Sequence, residues 1–321
     1  MPINGPAMGW FTSTAAIGRY NRSTREGWAG RPMQKTSLSV CLIATELRGR
    51  GPYGGFGVLT HEIATGLAER GADVYVVMPR KRGQPPVERS GNLTILSYPS
   101  PLYVGLKRAI PFAALYRMID ADIYHSQEPS LGTALAQAGA PRKKHLVTFQ
   151  DPRNLQDWRV ERAHEKLGAL ALMKYYLRYQ LESGRAARRA DRRYCQAKCI
   201  VDKARRMYRL SDSPGFLPNP IHMKQRVSPK ADRPTVCYVG RWDPRKRPEL
   251  FFDLAVSRPD VKFISVGACL GDEERDRQLR DRCRGLENVE APGWLAEEER
   301  GEVLDRAWVL VNTSTRECLP V

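Results

Sequence analysis

The 321-residue sequence lacks any uninterrupted apolar run of about eighteen residues, the length that a membrane-spanning helix needs. Its N-terminal stretch also lacks the compact apolar core of a secretory signal. The seven cysteines are an odd number without a CxxC pair, so neither a disulfide framework nor a zinc site is indicated. We therefore expect a soluble, cytoplasmic protein, and its length favours two domains.

Acidic residues are few relative to basic ones, since 35 Asp and Glu stand against 52 Lys and Arg, a formal charge of +17. The surplus is concentrated between Arg142 and Leu210, where 19 basic residues accompany 7 acidic ones. A surface of this charge attracts anions in general. Anionic lipid, a polyanionic acceptor and nucleic acid are all open as partners on this observation.

Short apolar runs alternate with helical stretches in two parts of the chain. Residues 1–34 have no sustained period and are interpreted as a disordered or mis-assigned extension. Residues 35–213 and 235–321 each show the strand and helix alternation of a doubly wound parallel sheet. Residues 214–234 contain five prolines and are predicted to be a linker. The predicted fold class is α/β, with two Rossmann-like domains facing each other across a cleft.

A long amphipathic helix is predicted over residues 161–189. Apolar residues stand at helical spacing, among them Leu170, Leu177 and Leu181, and arginines flank them. We favour packing of this apolar face on the sheet. The basic side would also suit peripheral contact with the anionic inner face of a membrane, where each Lys or Arg adds about 1 kcal/mol.

A glycine-rich loop follows the first predicted strand. Residues 49–54 formally match GxGxxG, but Pro52 constrains the turn and no acid follows the next strand, so a dinucleotide site is disfavoured. Gly54, Gly55 and Gly57 are the better candidates, because glycines before a helix let backbone N–H groups approach a phosphate. We predict that this loop binds substrate and closes over it.

The most specific pattern is the segment YVGRWDPRKRPE, residues 238–249. Gly240 follows a predicted strand, and a proline-containing turn holds Arg241 and Lys246 five residues apart at a helix start. The segment resembles the GR-x-DP-x-K motif of the retaining glycosyltransferases of family 4, which have the GT-B fold. The resemblance implies that Arg241 and Lys246 hold the diphosphate of a nucleotide sugar. Fixed cations can stabilise the charge of a departing nucleoside diphosphate without a metal.

The C-terminal stretch from Leu310 to Val321 resembles the opening of the E-x7-E motif of the same family. Glu317 matches the first Glu, which the resemblance assigns to the donor sugar, and Ser314 lies in the preceding loop. The second Glu would fall at position 325, beyond Val321. We therefore predict a second domain that is truncated within the donor site.

Two weaker matches lie in the first half of the chain. Residues 122–129 resemble the D-x-x-H-x-H region of the family and residues 148–151 its T-x-H-D region. Gln127 and Gln150 stand where each pattern has a histidine. His125 matches its pattern, and it is expected either to touch the sugar at the end of its strand or to be a structural histidine.

The leading hypothesis is transfer of a sugar, with retention of configuration, from a nucleotide diphosphate sugar to a hydroxyl of an unknown acceptor, saccharide or lipid-linked. No cofactor is predicted, and no metal, because no DxD that would bind one is apparent. One alternative is an inactive fragment of the same fold. The other is a basic nucleic-acid-binding protein, which the charge suggests but no recognisable binding module supports.

Overall fold

A computed structural model describes most of the chain. The described residues are 37–50, 53–80, 83–99, 106–159, 168, 170, 173, 177, 181, 183–221, 228–269 and 271–318. The extension predicted over residues 1–34 and most of the helix predicted over 161–189 lie outside them. The described residues divide into two compact units: those between 37 and 154 and between 173 and 221 form the first, and those between 155 and 170 and between 228 and 318 form the second.

The first unit is built on an eight-stranded sheet. Its strands are β1 (Ser39–Ile43), β2 (Asp73–Arg80), β3 (Val87–Ser90), β4 (Leu93–Pro99), β5 (Ile123–Ser126), β6 (Lys144–Phe149), β7 (Arg192–Cys195) and β8 (Gly215–Phe216). They lie in the order β3-β4-β2-β1-β5-β6-β7-β8, and every neighbouring pair is parallel except β3 with β4. This is the mostly parallel sheet that the sequence predicts.

Helices cover both faces of this sheet. They are α1 (Gly55–Glu69), α2 (Leu106–Ile119), α3 (Leu131–Gly139), α4 (Gly184–Arg189) and α5 (Val201–Tyr208). In β1, Cys41 packs in a core cluster with residues of α2 and α3, whereas Val40 and Leu42 pack in a second cluster with Ala64 of α1. Successive side chains of a strand point to opposite faces, so an unbroken apolar run is buried on both.

Two sequence expectations need correction. Strand β8 lies inside the predicted linker 214–234, because Phe216 pairs with Cys195 of β7 and extends the first sheet past residue 213. Leu170, Leu177 and Leu181 are 88%, 52% and 61% exposed, so the three leucines do not pack on a sheet as we favoured.

The second unit contains a four-stranded parallel sheet in the order β11-β10-β9-β12. Its strands are β9 (Thr235–Val239), β10 (Lys262–Val266), β11 (Val289–Gly293) and β12 (Val309–Leu310). Its helices are α6 (Pro248–Ser257), α7 (Glu273–Arg284) and α8 (Glu297–Arg306). Phe251 and Phe252 of α6 are fully buried with Phe263 of β10 in the core of this unit.

Within the described part of the chain, no helix combines the length and the apolar character that crossing a membrane requires.

Replacement of Gly139 by alanine tests the packing of α2 on α3. A Cβ at this position would stand 2.0 Å from the carbonyl oxygen of Ala113, a backbone atom that cannot move without opening the core. We expect Gly139→Ala to lower the free energy of unfolding by about 1–3 kcal/mol. The measurement is urea unfolding followed by circular dichroism.

The matched control is Gly66→Ala in α1, where the new Cβ meets only the flexible end of Arg70, at 3.3 Å. Alanine has the higher helix propensity, so the control is expected to gain up to about 1 kcal/mol. Changes of the same sign in both variants would contradict the packing argument.

Candidate functional site

The candidate site lies at the carboxyl edge of the second sheet. β9 and β12 are parallel neighbours, with Val236 opposite Val309, so both chains leave the sheet at the same edge. The loops that follow, residues 240–247 and 311–317, therefore run side by side. This edge brings together the predicted site residues Gly240, Arg241, Lys246, Ser314 and Glu317.

A close backbone contact fixes the start of the first loop. Gly240 donates its N–H to Val266 O at 3.0 Å, and a Cβ on Gly267 would stand 1.9 Å from the carbonyl oxygen of Gly240. Gly267 has φ +151°, so only glycine fits there. Trp242 is fully buried, and its Nε1 donates to Ser265 Oγ at 3.2 Å. The buried indole anchors the loop that carries the two predicted cations.

Asp243 organises both of these cations. Its Oδ1 accepts from the backbone N–H groups of Arg245, at 3.1 Å, and Lys246, at 3.2 Å. Its Oδ2 forms a salt bridge with Arg241 at 3.0 Å. One carboxylate thus sets the turn that places Lys246 and also holds the guanidinium of Arg241.

Lys246 and Glu317 form an ion pair. Desolvation raises the pKa of Glu317, but hydrogen bonds from Lys246, Ser314 and Asn312 outweigh it, so the net shift of this pKa is downward. Glu317 is therefore a carboxylate near neutral pH. In this arrangement the ammonium that we expect to hold phosphate is neutralised by the carboxylate that we expect to hold sugar.

The sequence reasoning did not single out Asp243, Arg247 or Thr313, which build this site. An aspartate before proline is a turn signal with a mechanism, because its carboxylate can accept from backbone N–H groups two and three residues on. That signal could have identified Asp243. Arg247 and Thr313 meet only through the tertiary pairing of the two loops, so no local pattern could have found them.

The predicted glycine loop belongs to the first unit, and it is shorter than expected. Gly55 and Gly57 lie in the first turn of α1 rather than before it, and Gly54 is the N-cap. Gly54 N donates to Glu46 Oε2 at 2.6 Å. A Cβ on Gly57 would stand 2.6 Å from the Cβ of Tyr53, so this glycine is needed for packing. A carboxylate of the chain itself therefore occupies the donor that we assigned to a phosphate.

His125 lies in β5 of the first sheet, and Gln127 directly follows this strand. Nε2 of His125 is 2.7 Å from Thr148 Oγ1 on β6, and burial lowers the pKa of His125 to about 4. The imidazole is therefore neutral at physiological pH. Gln127 accepts from Thr60 of α1 at 3.1 Å, and its Nε2 is buried without a hydrogen-bond partner among the described residues.

Gln150, where the family pattern has a histidine, is part of a closed amide network. Gln150 and Asn219 exchange two hydrogen bonds of 3.1 Å each, and Asn219 also donates to Gln196 Oε1 at 2.5 Å. These contacts use both polar atoms of the Gln150 amide. This network connects the loops that follow β6, β7 and β8.

Glu128 is a further polar residue that sequence reasoning missed. Its Oε2 accepts from the N–H groups of Gln150 and Asp151, each at 2.9 Å, and its Oε1 accepts from Tyr208 at 3.0 Å. Burial raises the pKa of Glu128 to about 7, although these hydrogen bonds act in the opposite direction. This carboxyl therefore titrates close to neutral pH.

No three His, Cys, Asp or Glu side chains cluster as metal ligands would within the described residues. A D-x-D spacing does occur at Asp120 and Asp122, but both carboxylates have structural partners. Asp122 accepts from the backbone N–H and the hydroxyl of Ser39, at 3.0 and 2.7 Å, and Asp120 pairs with Lys143 at 2.7 Å. The absence of a metal from the reaction stays a prediction.

The sequence profile of Glycosyltransferase Family 4 matches residues 53–225, slightly more than half of the chain. The chain belongs to glycosyltransferase family 4. The matched region ends before Arg241, so the profile supports the family and leaves the roles of Arg241, Lys246 and Glu317 as predictions. A sequence search among curated proteins gave no match.

Several solved structures share the fold of this chain. Sucrose-phosphate synthase from Thermosynechococcus elongatus is 17% identical with a TM-score of 0.63, over 88% of this chain and 77% of that one. The catalytic domain of starch synthase IV from Arabidopsis thaliana, bound to ADP and acarbose, is 12% identical with a TM-score of 0.56, over 89% and 80%. HepE from Anabaena, in complex with UDP and glucose, is 14% identical with a TM-score of 0.56, over 87% and 75%. The predicted GT-B fold is confirmed.

His125→Gln is expected to flatten the pH dependence of stability. The pKa of His125 falls from 6.5 to about 4 on folding, so the unfolded chain binds the proton more tightly, and stability is lost as pH drops through this window. Wild type should lose up to about 3 kcal/mol more than the variant between these pH values. Urea unfolding at several pH values measures the difference.

The raised pKa of Glu128 acts in the opposite sense over part of the same window. It is present in both proteins, so it cancels in the comparison. Parallel stability profiles for wild type and variant would show that His125 does not titrate as described.

Proposed function

We propose that the protein transfers a sugar from a nucleoside diphosphate sugar to an acceptor hydroxyl, with retention of configuration. The observation that carries this proposal is the contact of Lys246 with Glu317, 71 residues apart in sequence, beside Arg241 at the carboxyl edge of the second sheet. These are the three residues that the family motifs assign to the diphosphate and the sugar of the donor.

The charges of the site fit such a donor. A diphosphate arriving at Lys246 would compete with Glu317 for the ammonium and release the carboxylate. An ionised carboxylate only accepts hydrogen bonds, and sugar hydroxyls are donors, so Glu317 is suited to bind the sugar. Arg241, fixed by Asp243, would oppose the charge that develops on the leaving diphosphate.

Two solved structures with a similar fold support a nucleoside diphosphate sugar as the donor. Starch synthase IV was solved with ADP and acarbose, and HepE with UDP and glucose. Each contains a nucleoside diphosphate and a saccharide. We infer that the donor of this chain is also a nucleoside diphosphate sugar. Its base and its sugar are to be identified by experiment. Retention is what the family resemblance implies.

A thermal-shift series with UDP-, GDP- and ADP-glucose tests the donor site. A ligand at one hundred times its dissociation constant should stabilise the wild-type protein by about 2.7 kcal/mol. Arg241→Ala and Lys246→Ala should lose the shift for the nucleoside diphosphate as well as for the nucleotide sugar. Glu317→Gln should keep the diphosphate shift or increase it, because Lys246 is then freed from its ion pair, and should lose glycosyl transfer.

The control is Arg258→Ala, which removes an exposed arginine paired with Asp260 on the same unit. Thermal shifts in the Arg241 and Lys246 variants that equal those of wild type would contradict the assignment of these residues to the diphosphate. If the wild-type protein binds a nucleotide sugar but neither transfers nor hydrolyses the sugar, the inactive-fragment alternative is favoured. NMR of the anomeric centre of the product decides retention against inversion.

We also propose that the first unit contacts an anionic membrane. Residues 183–217 contain ten Lys and Arg but only three Asp, and Arg185, Arg189, Arg205, Arg206 and Arg209 are exposed. Leu177 and Leu181, earlier in the same unit, are also exposed. Cationic residues together with exposed apolar side chains suit a surface of anionic lipid. A lipid-linked acceptor would be reached from such a position.

Vesicle sedimentation tests this contact. We expect binding to vesicles of phosphatidylglycerol and not to phosphatidylcholine. Changing Arg185, Arg189 and Arg205 to glutamine should weaken binding by about a hundredfold, at about 1 kcal/mol for each charge. The control removes three arginines of the second unit, Arg258, Arg277 and Arg284.

Equal losses in both triple variants would mean that the effect reflects net charge and not this surface. Tight binding of oligonucleotides at physiological salt, with no affinity for vesicles, would instead support the nucleic-acid alternative.

A further inference from the structure

Arg247 has a backbone conformation that arginine rarely adopts. It is the N-cap of α6 with φ 46° and ψ 55°, in the left-handed region. A non-glycine residue there is strained, and it persists only where surrounding contacts offset the strain. Glycine would fit this backbone more easily, so the contacts of the Arg247 side chain are the feature to explain.

The guanidinium of Arg247 reaches the loop that carries Glu317. Its Nε donates to Thr313 O at 2.6 Å, and one terminal nitrogen donates to Ser314 O at 3.4 Å. A planar guanidinium presents several donors in a fixed geometry, so one side chain can hold two successive carbonyl groups. These carbonyls lie shortly before Glu317 in the chain.

The second loop binds back to the first at two further points. Thr313 Oγ1 lies 2.6 Å from Lys246 O and 2.8 Å from Arg247 O, and Thr315 N donates to Arg245 O at 2.8 Å. Thr313 is buried, so water does not readily replace its partners. Residues 245–247 and 313–315 therefore form one clasp of backbone and side-chain hydrogen bonds.

This clasp lies between the two ends of the candidate site. Lys246 belongs to one of its segments, and Glu317 follows the other by two residues. We propose that Arg247 is a positioning residue that sets the place of Glu317 relative to Lys246 and so couples the diphosphate end of the donor site to its sugar end. The identity of the two ends rests on the proposed function, whereas the mechanical coupling does not.

Amide hydrogen exchange of the unliganded protein tests the coupling without any ligand. The variants are Arg247→Gly, which relieves the backbone strain and removes the guanidinium, and Arg247→Lys, which keeps the charge but not the planar group. We expect protection of residues 313–317 to fall by about tenfold or more in Arg247→Gly, the equivalent of one charge-assisted hydrogen bond, with partial rescue by lysine. Arg284→Ala, an exposed arginine of α7, is the control.

The same variants are then titrated with UDP, ADP and their glucose conjugates. We expect the affinity for the nucleoside diphosphate to stay within about twofold of wild type, while the affinity for the nucleotide sugar falls by about tenfold, because only Glu317 is displaced. Unchanged exchange at residues 313–317 in Arg247→Gly would overturn the proposal. So would increased exchange with no change in the ratio of the two affinities.

A different result marks failure of the proposed function alone. If wild type binds none of these nucleotides but exchange in Arg247→Gly rises at residues 313–317, the clasp is supported and the donor assignment is not.

Discussion

The parallel pairing of β12 with β9 is the constraint on which the candidate site depends. β12 contains only two residues, yet it determines that the chain after Leu310 leaves the sheet beside the chain after Val239. Such a short ladder contributes few hydrogen bonds. The clasp around Arg247 and Thr313 adds contacts beyond the end of the strand, so the two loops are held together where the sheet no longer holds them.

Carboxylates offset part of the positive charge that is clustered in the candidate site. Arg241 is paired with Asp243 and Lys246 with Glu317, so each of the two predicted phosphate-binding cations has a carboxylate partner in the unliganded site. In the proposed function, a diphosphate entering the site would replace Glu317 as the partner of Lys246 with a more highly charged group. Binding would then depend on this exchange of partners, which is a more selective requirement than attraction to positive charge alone.

Much of the fold could be predicted from the sequence, because β1, β9 and β10 are short, mostly apolar strands with most of their residues buried. Strand β7 has the sequence RRYC and β8 is only two residues long, so neither carries an apolar period, and their pairing depends on the neighbouring strand. The glycines at 55 and 57 suggested a loop by composition, but the helix begins at Gly55 because tertiary contacts outweigh propensity there.

Candidate site residues were predictable where one turn defines them and not where two loops meet. Arg241 and Lys246 belong to a local turn set by Asp243, so their spacing carries the information. Arg247 appears in the sequence as one more basic residue after Lys246. Its meaning depends on a left-handed backbone and on two carbonyls more than sixty residues away. A strained arginine that holds a distant loop is visible only in three dimensions, and it joins the residues that the motifs treat as separate.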